Sequence, residues 1–301
     1  MTSLGFIGAG TVGTALAVKL SERGYPVVAV YSRSISSSER LAGQVNGCRV
    51  CHSAQEVADA ADMVFITTPD AAIGEVAASL RWRRGQMVVH CSGADSAEAL
   101  EAARRQGARV GVFHPLQTFA SVAQAMENIP GSTFGLEAEG PILSVLKEMV
   151  LALEGNPVVL SAQEKVLYHA AAVIASNYVV TLMKMATDLW QLFGVPRSDA
   201  TRALLPLLRG TLNNIENVGL PNCLTGPVAR GDVGTVEKHL LALDEAAPDL
   251  LPTYREMALQ TILVALAKGR LGEEEARQLR ALLTASIEEQ IPELAVLISQ
   301  G

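Results

Sequence analysis

The chain is poor in aromatic residues, which make up 4% of its 301 positions, and it has only four cysteines. So few cysteines in a chain of this length fit a reducing compartment better than a disulfide framework, so a cytoplasmic location is expected. Positive charge is in deficit. The net charge of −7 leaves no basic stripe for nucleic acid, and none is expected as a partner. No basic segment precedes the first apolar run, residues 3–7, and the helical pattern after it carries Lys19, Glu22 and Arg23 on a polar face, which reads against a secretory leader. Cys48 and Cys51 form a C-x-x-C, but no second pair follows at zinc-ribbon spacing. The surrounding GCRVCHS reads as a short strand, so no metal site is expected.

What the chain does have is glycine in a dense early group. GFIGAGTVGTALA, residues 5–17, places Gly8, Gly10 and Gly13 between a short apolar run and a helical pattern through Val12, Leu16 and Leu20. Such a strand–turn–helix is built to meet a pyrophosphate: one glycine makes the turn, one admits the phosphates and one lets the helix pack close to the sheet. Beyond it, β-rich runs at residues 27–31, 63–67, 87–91, 109–113, 132–136 and 157–160, with a weaker one at 48–51, alternate with helical patterns. After Ser161 the β-rich runs stop, and helices are expected over 163–193, 200–217, 235–246, 251–268 and 273–289. The expected class is α/β: an N-terminal Rossmann domain with a doubly wound, mostly parallel sheet, residues 1–161, followed by an all-α substrate and dimerisation domain, residues 162–301.

The 163–193 helix is apolar nearly all round from Val166 to Met183, a length that raises the question of a membrane span. Lys165, His169, Asn177 and Lys184 interrupt it, and charged groups are expensive in a bilayer. A helix covered by neighbours or by a second subunit is the better reading, so a homodimer is expected and no membrane.

The residue ending the second strand of a dinucleotide fold faces the adenosine ribose, where an acid would select NAD. Here the chain reads Tyr31-Ser32-Arg33-Ser34. A guanidinium can instead pair with a 2′-phosphate through charge-assisted hydrogen bonds worth about 1.5–3 kcal/mol, so NADP is the expected cofactor, with Arg40 placed to share the task. Its expected contacts are Gly8, Ala9, Gly10, Thr11, Val12, Gly13, Ser32, Arg33, Thr68, Pro69 and Ser92.

Polar turns follow the strands at Thr67-Thr68-Pro69-Asp70, His90-Cys91-Ser92-Gly93-Ala94 and Phe113-His114-Pro115-Leu116. At 100° per residue, His169, Ser176 and Asn177 share a face of the long helix. His169 is the first candidate proton donor, with Asn177 as its orienter and His114 as its rival; the plainer alternative is that His169 and Asn177 satisfy each other or the backbone. Ser92, Gly93, His114, Thr225 and Arg230 are the candidate substrate contacts. Arg230 can grip a carboxylate, although an Arg230–Asp232 ion pair explains it equally well. The function expected is hydride transfer to or from a small carbonyl or imine compound, the alternative being a non-catalytic NADP(H)-binding sensor or interaction protein.

Taken together, GFIGAGTVGTALA, YSR, TTPD, HCSGA, FHPLQTF, YHAAAVIASNY and LTGPVARGD resemble, over nearly the whole chain, the family that joins a Rossmann-like domain to a C-terminal helical domain of unknown function. That family falls in the wider 6-phosphogluconate-dehydrogenase-like group, with pyrroline-5-carboxylate and ketopantoate reductases and deazaflavin-dependent NADP reductases. The resemblance implies an NADP-dependent oxidoreductase with a dimerising helical domain. One departure stands out: hydroxyacid dehydrogenases of the group carry K-x-x-x-N on the interdomain helix, where this chain has Lys165 followed by His169.

Overall fold

A computed structural model describes residues 2–285. The first half alternates strictly: β1 (Leu4–Ile7), α1 (Thr11–Glu22), β2 (Val27–Tyr31), α2 (Ile35–Ala42), β3 (Arg49–Val50), α3 (Ala54–Ala60) and β4 (Met63–Ile66). It continues through α4 (Ile73–Ser79), β5 (Met87–His90), α5 (Glu101–Arg105), β6 (Arg109–Leu116), α6 (Val122–Asn128), β7 (Thr133–Ala138), α7 (Pro141–Ala152) and β8 (Asn156–Val159). Among the described residues only helices follow: α8 (Ala162–Ala175), α9 (Asn177–Leu192), α10 (Arg197–Val218), α11 (Val233–Ala246), α12 (Leu251–Lys268) and α13 (Glu273–Thr284). The expected helix over 273–289 is thus seen to Thr284, and its last residues lie outside the described ones.

The strands form one sheet in the order β3-β2-β1-β4-β5-β6-β7-β8. β1 to β6 pair in parallel, and the β6–β7 pair alone is antiparallel. The chain leaves β1 on one side for β2 and returns on the other for β4, so the carboxyl end of β1 is the switch point, where a crevice opens in sheets of this kind. The central strands β1, β4 and β5 are buried on both faces, as parallel strands under helices on each side must be, while the edge strand β8 is largely exposed. On one face Phe6 stacks on Phe65 at 5.0 Å between ring centroids, Phe65 meets the edge of Phe113 at 5.8 Å, and Phe113 leans on Phe134 at 4.9 Å. Four of the six phenylalanines thereby form one row across the sheet. The other face packs Ile66, Val88 and Val112 against Trp82 and Leu100.

Two elements depart from the sequence expectation. His114 and Pro115, expected in a turn, lie inside β6, paired with Gly135 and Phe134 of β7. Pairing with β5 ends at Val112, so the missing N–H of Pro115 interrupts no ladder on that side. The long helix expected over 163–193 breaks at Ser176, whose φ of −123° and ψ of −69° leave the helical region. Ser and Asn in succession favour such a break because their side chains compete for backbone groups. The 100° projection that set His169 and Asn177 on one face therefore loses its phase at the break.

The chain divides into two compact units, one ending at Tyr178 and one starting at Val179. The second has its own core, in which Val236, Leu240, Ile262, Leu279 and Leu283 pack together from α11, α12 and α13.

Candidate active site

The glycine turn is specified residue by residue. Gly8 has φ +110°, and a Cβ there would sit 2.6 Å from the Thr67 carbonyl oxygen. A Cβ on Gly13 would lie 2.6 Å from the Gly8 carbonyl oxygen and closer still to Thr67 Oγ1. Thr67 Oγ1 donates to that same carbonyl at 2.7 Å, which locks the turn to the end of β4. Gly10 differs, since nothing lies within 4 Å of where its Cβ would be. It caps α1, and the space over it is open for a phosphate facing the helix N-terminus.

This turn floors a cleft of about 630 Å³ lined by Gly8, Ala9, Gly10 and Thr11, by Ser32, Arg33, Ser37 and Arg40, and by Thr68 and Pro69. Arg33 and Arg40 both line the cleft, Arg40 donating to Ser37 Oγ at 3.3 Å. The strand-end position that would hold an acid for a ribose diol holds Tyr31, Ser32 and Arg33 instead. Thr68 Oγ1 is buried at the wall and has no hydrogen-bond partner among the described residues. An open glycine, an orphaned hydroxyl and two arginines are a donor set that fits a phosphorylated dinucleotide. Of the expected cofactor contacts, Val12, Gly13 and Ser92 stand off this wall.

Ser92 has other work. Its N–H donates to His90 Nδ1 at 3.1 Å, its Oγ donates to Asp70 Oδ2 at 2.8 Å and accepts from the Asp95 N–H at 3.0 Å, and its carbonyl accepts from Lys165 Nζ at 2.8 Å. Every polar group of a residue that is 3% exposed is thus used within the protein, and Ser92 anchors the loop after β5 to the turn after β4. His90, wholly buried, accepts from Ser92 on one nitrogen and meets the Ser96 carbonyl with the other at 3.0 Å. Burial pulls its pKa down to about 4.

α8 supplies the facing wall. It starts at a capping box, in which the Glu164 N–H donates to Ser161 Oγ and Glu164 Oε2 accepts from the Ser161 N–H at 2.7 Å. That start puts Lys165, Tyr168 and His169 in its first two turns, toward the sheet. Lys165 is 2% exposed, and burial brings its pKa down to about 8, opposed by the nearby Glu137 and Asp95 carboxylates. Glu137 accepts from the Ala97 N–H at 3.0 Å, and burial raises its pKa.

Next along the helix, Tyr168 Oη lies 2.9 Å from His114 Nδ1. The rings of His114 and His169 stand edge to face with centroids 6.1 Å apart. Both converge on Gly93: a Cβ on that residue would meet His169 Nδ1 at 2.5 Å and His114 Nε2 at 2.8 Å. Gly93 is therefore the gap that lets two imidazoles approach one backbone. His169 Nδ1 is buried without a hydrogen-bond partner among the described residues. Burial, then the Lys165 charge, holds the His114 pKa near 4. The sequence thus pointed to His114, His169, Gly93 and Ser92, which the fold gathers at the ends of β5 and β6. It missed Lys165 and Tyr168 as site residues, because their partners, Ser92 and His114, lie 73 and 54 residues away in the sequence.

The remaining candidates lie elsewhere. Asn177 opens α9, beyond the break at Ser176. Thr225 and Arg230 are exposed in the second unit, where Arg230 approaches Asp232 at 3.9 Å. Asp232 caps α11 by accepting from the Thr235 N–H at 3.0 Å.

The sequence matches the Rossmann-like domain family over residues 1–115 and the domain of unknown function DUF2520 over residues 132–261. Among solved structures, a candidate NADP oxidoreductase from Bacteroides fragilis is similar, with 25% identity, a TM-score of 0.71 and coverage of 87% of this chain and 98% of that one. A protein from Thermotoga maritima has 28% identity and a TM-score of 0.71, covering 89% of this chain and 100% of its own. A reductive aminase from Aspergillus terreus, solved with NADPH and ethyl-5-oxohexanoate, shares the fold at 20% identity and a TM-score of 0.60, over 96% of this chain and 94% of that one. A comparison of the sequence with curated proteins finds no match. This chain joins a Rossmann-like domain, residues 1–115, to a DUF2520 domain, residues 132–261.

Proposed function

We propose that the protein is an NADP(H)-dependent oxidoreductase acting on a small carbonyl or imine compound. The observation that carries this reading is that, within a single compact unit, the cleft with its open glycine turn, Arg33 and Arg40 lies beside the turn after β4, which the Ser92–Asp70 hydrogen bond ties to a half-buried pair of imidazoles converging on Gly93. The solved Bacteroides fragilis and Aspergillus terreus proteins support it by what they are described as doing and binding.

When bound, the nicotinamide would give or take hydride. The protein's part is to hold the dinucleotide and to handle the proton. Gly10 and the α1 N-terminus would receive the pyrophosphate, Arg33 and Arg40 the 2′-phosphate, and Thr68 Oγ1 would find its missing partner. His114 and His169 are the groups that would hold or release a proton at the substrate oxygen or nitrogen, since their ring nitrogens face the same small space. The test is to screen 2-oxo acids, ketones and cyclic imines for loss of NADPH absorbance. Turnover on one class supports the reading, whereas tight NADPH binding without turnover across the panel would favour the sensor.

We also propose that a second copy covers α8–α10. Leu167 is 75% exposed, Val180 70% and Leu207 69%, more apolar surface than an isolated soluble chain usually shows. Light scattering should give twice the chain mass at micromolar concentration; a monomer would remove this element.

A further inference from the structure

We propose that Tyr168 is a positioning residue that fixes the tautomer of His114, so that His114 presents an Nε2–H donor to the substrate beside Gly93. The proposal rests on the oxidoreductase reading for its chemistry, while its structural half stands without it.

The geometry begins with β7. The antiparallel register sets Gly135 opposite His114, and a Cβ on Gly135 would lie 2.9 Å from Tyr168 Cζ and 3.0 Å from its Oη. Glycine at this position is what lets the phenol from α8 lie against the strand and reach the imidazole. Gly93 does the same on the other side of His114, where Nε2 and His169 Nδ1 both lie within 3 Å of the place a Gly93 Cβ would take. His114 is thus held between two missing side chains, with its Nδ1 engaged and its Nε2 presented.

The direction of the 2.9 Å contact decides which nitrogen carries the proton. A phenol O–H is the stronger donor of the two groups, and the bare nitrogen of a neutral imidazole is the stronger acceptor. The phenol stays protonated, because burial raises its pKa to about 12, and His114 stays neutral, held near 4. Around the ring stand Lys165, His169 and His90, which all disfavour its protonation. A neutral ring accepting at Nδ1 has its single proton on Nε2.

In the reduction direction the Nε2–H bond breaks as the proton passes to the substrate oxygen or nitrogen, the hydride having come from NADPH. As Nε2 loses its proton the Tyr168 Oη–H proton passes to Nδ1, so the ring stays neutral and Oη carries the negative charge until solvent returns a proton once product leaves. In the oxidation direction each step reverses.

The test is a two-bond ¹H–¹⁵N correlation spectrum of the histidine side chains in the full-length protein at neutral pH, with His114 assigned by its loss in His114→Gln. The expected result is a neutral ring protonated on Nε2 and accepting at Nδ1, with the Nδ1 signal displaced in Tyr168→Phe. In that variant kcat should fall about tenfold or more, as for loss of an orienting partner, while NADPH affinity stays within about twofold. A ring protonated on Nδ1 in the unsubstituted protein would overturn the proposal. So would an unchanged Nδ1 signal in a Tyr168→Phe protein with full turnover. If Tyr168→Phe does not fold, the spectrum of the unsubstituted protein still decides the tautomer. A protein that fails to bind or oxidise NADPH overturns the oxidoreductase reading, and the tautomer result is read separately.

Discussion

Lys165 Nζ donates to the carbonyl oxygen of Ser92 at 2.8 Å, joining the first turn of α8 to the loop after β5 across 73 residues of sequence. This contact gives the imidazole pair its setting: it holds the Gly93 loop on one side, and on the other the lysine charge adds to burial, the larger cause, in keeping His114 neutral. Replacing Lys165 with Met keeps most of the side-chain volume but leaves the buried Ser92 carbonyl without its partner. The cost should be about 1–3 kcal/mol in urea unfolding. A Lys165→Met protein as stable as the unsubstituted one would show that the contact holds nothing in place.

Gly93→Ala tests the gap itself. The added methyl would stand 2.5 Å from His169 Nδ1 and 2.8 Å from His114 Nε2, so at least one imidazole must leave its position. Turnover should fall about 10²-fold or more, in the range for a lost proton-transfer group, with NADPH binding preserved because Gly93 is not on the cofactor wall. Steady-state kinetics beside a fluorescence titration separates the two, and full turnover in Gly93→Ala would place the chemistry elsewhere.

Stability should depend on pH through the buried histidines. Burial holds the pKa of His90 at about 4 against an ordinary 6.5, so the unfolded chain takes up this proton before the folded one as pH falls. The contribution is complete above pH 6.5 and is lost progressively toward pH 4, and for His90 it amounts to about 3 kcal/mol. His114 has the same sign. Melting temperature should drop steeply between pH 6.5 and 4.5, with a shallower drop in His90→Asn; equal slopes would contradict the burial argument.

Most of the sheet was legible because each strand is a short apolar run closed by a turn residue, and because parallel strands buried on both faces leave continuous β-rich runs such as MVFI at β4. The glycine turn was legible for the same local reason. Other features are set by distant partners. His114 reads as a turn residue next to Pro115, and its place in β6 depends on pairing with Gly135. Lys165 follows a capping box, a position that is ordinarily solvated, and its burial depends on Ser92. Tyr168 meets His114 across 54 residues, a pairing no local pattern encodes. The break at Ser176 turns on one residue in an otherwise unbroken apolar pattern.

The central claim is that this crevice holds NADP(H), and the most direct measurement is a parallel titration of NADPH and NADH against the unsubstituted protein and Arg33→Ala. Arg33 lines the cleft where an acid would otherwise meet a ribose diol, and only NADPH has a phosphate for it to pair with. The unsubstituted protein should prefer NADPH. Arg33→Ala should weaken NADPH by about 1.5–3 kcal/mol, or roughly ten- to a hundredfold, and leave NADH almost unchanged. Equal weakening of both nucleotides, or no binding of either to the unsubstituted protein, would contradict it.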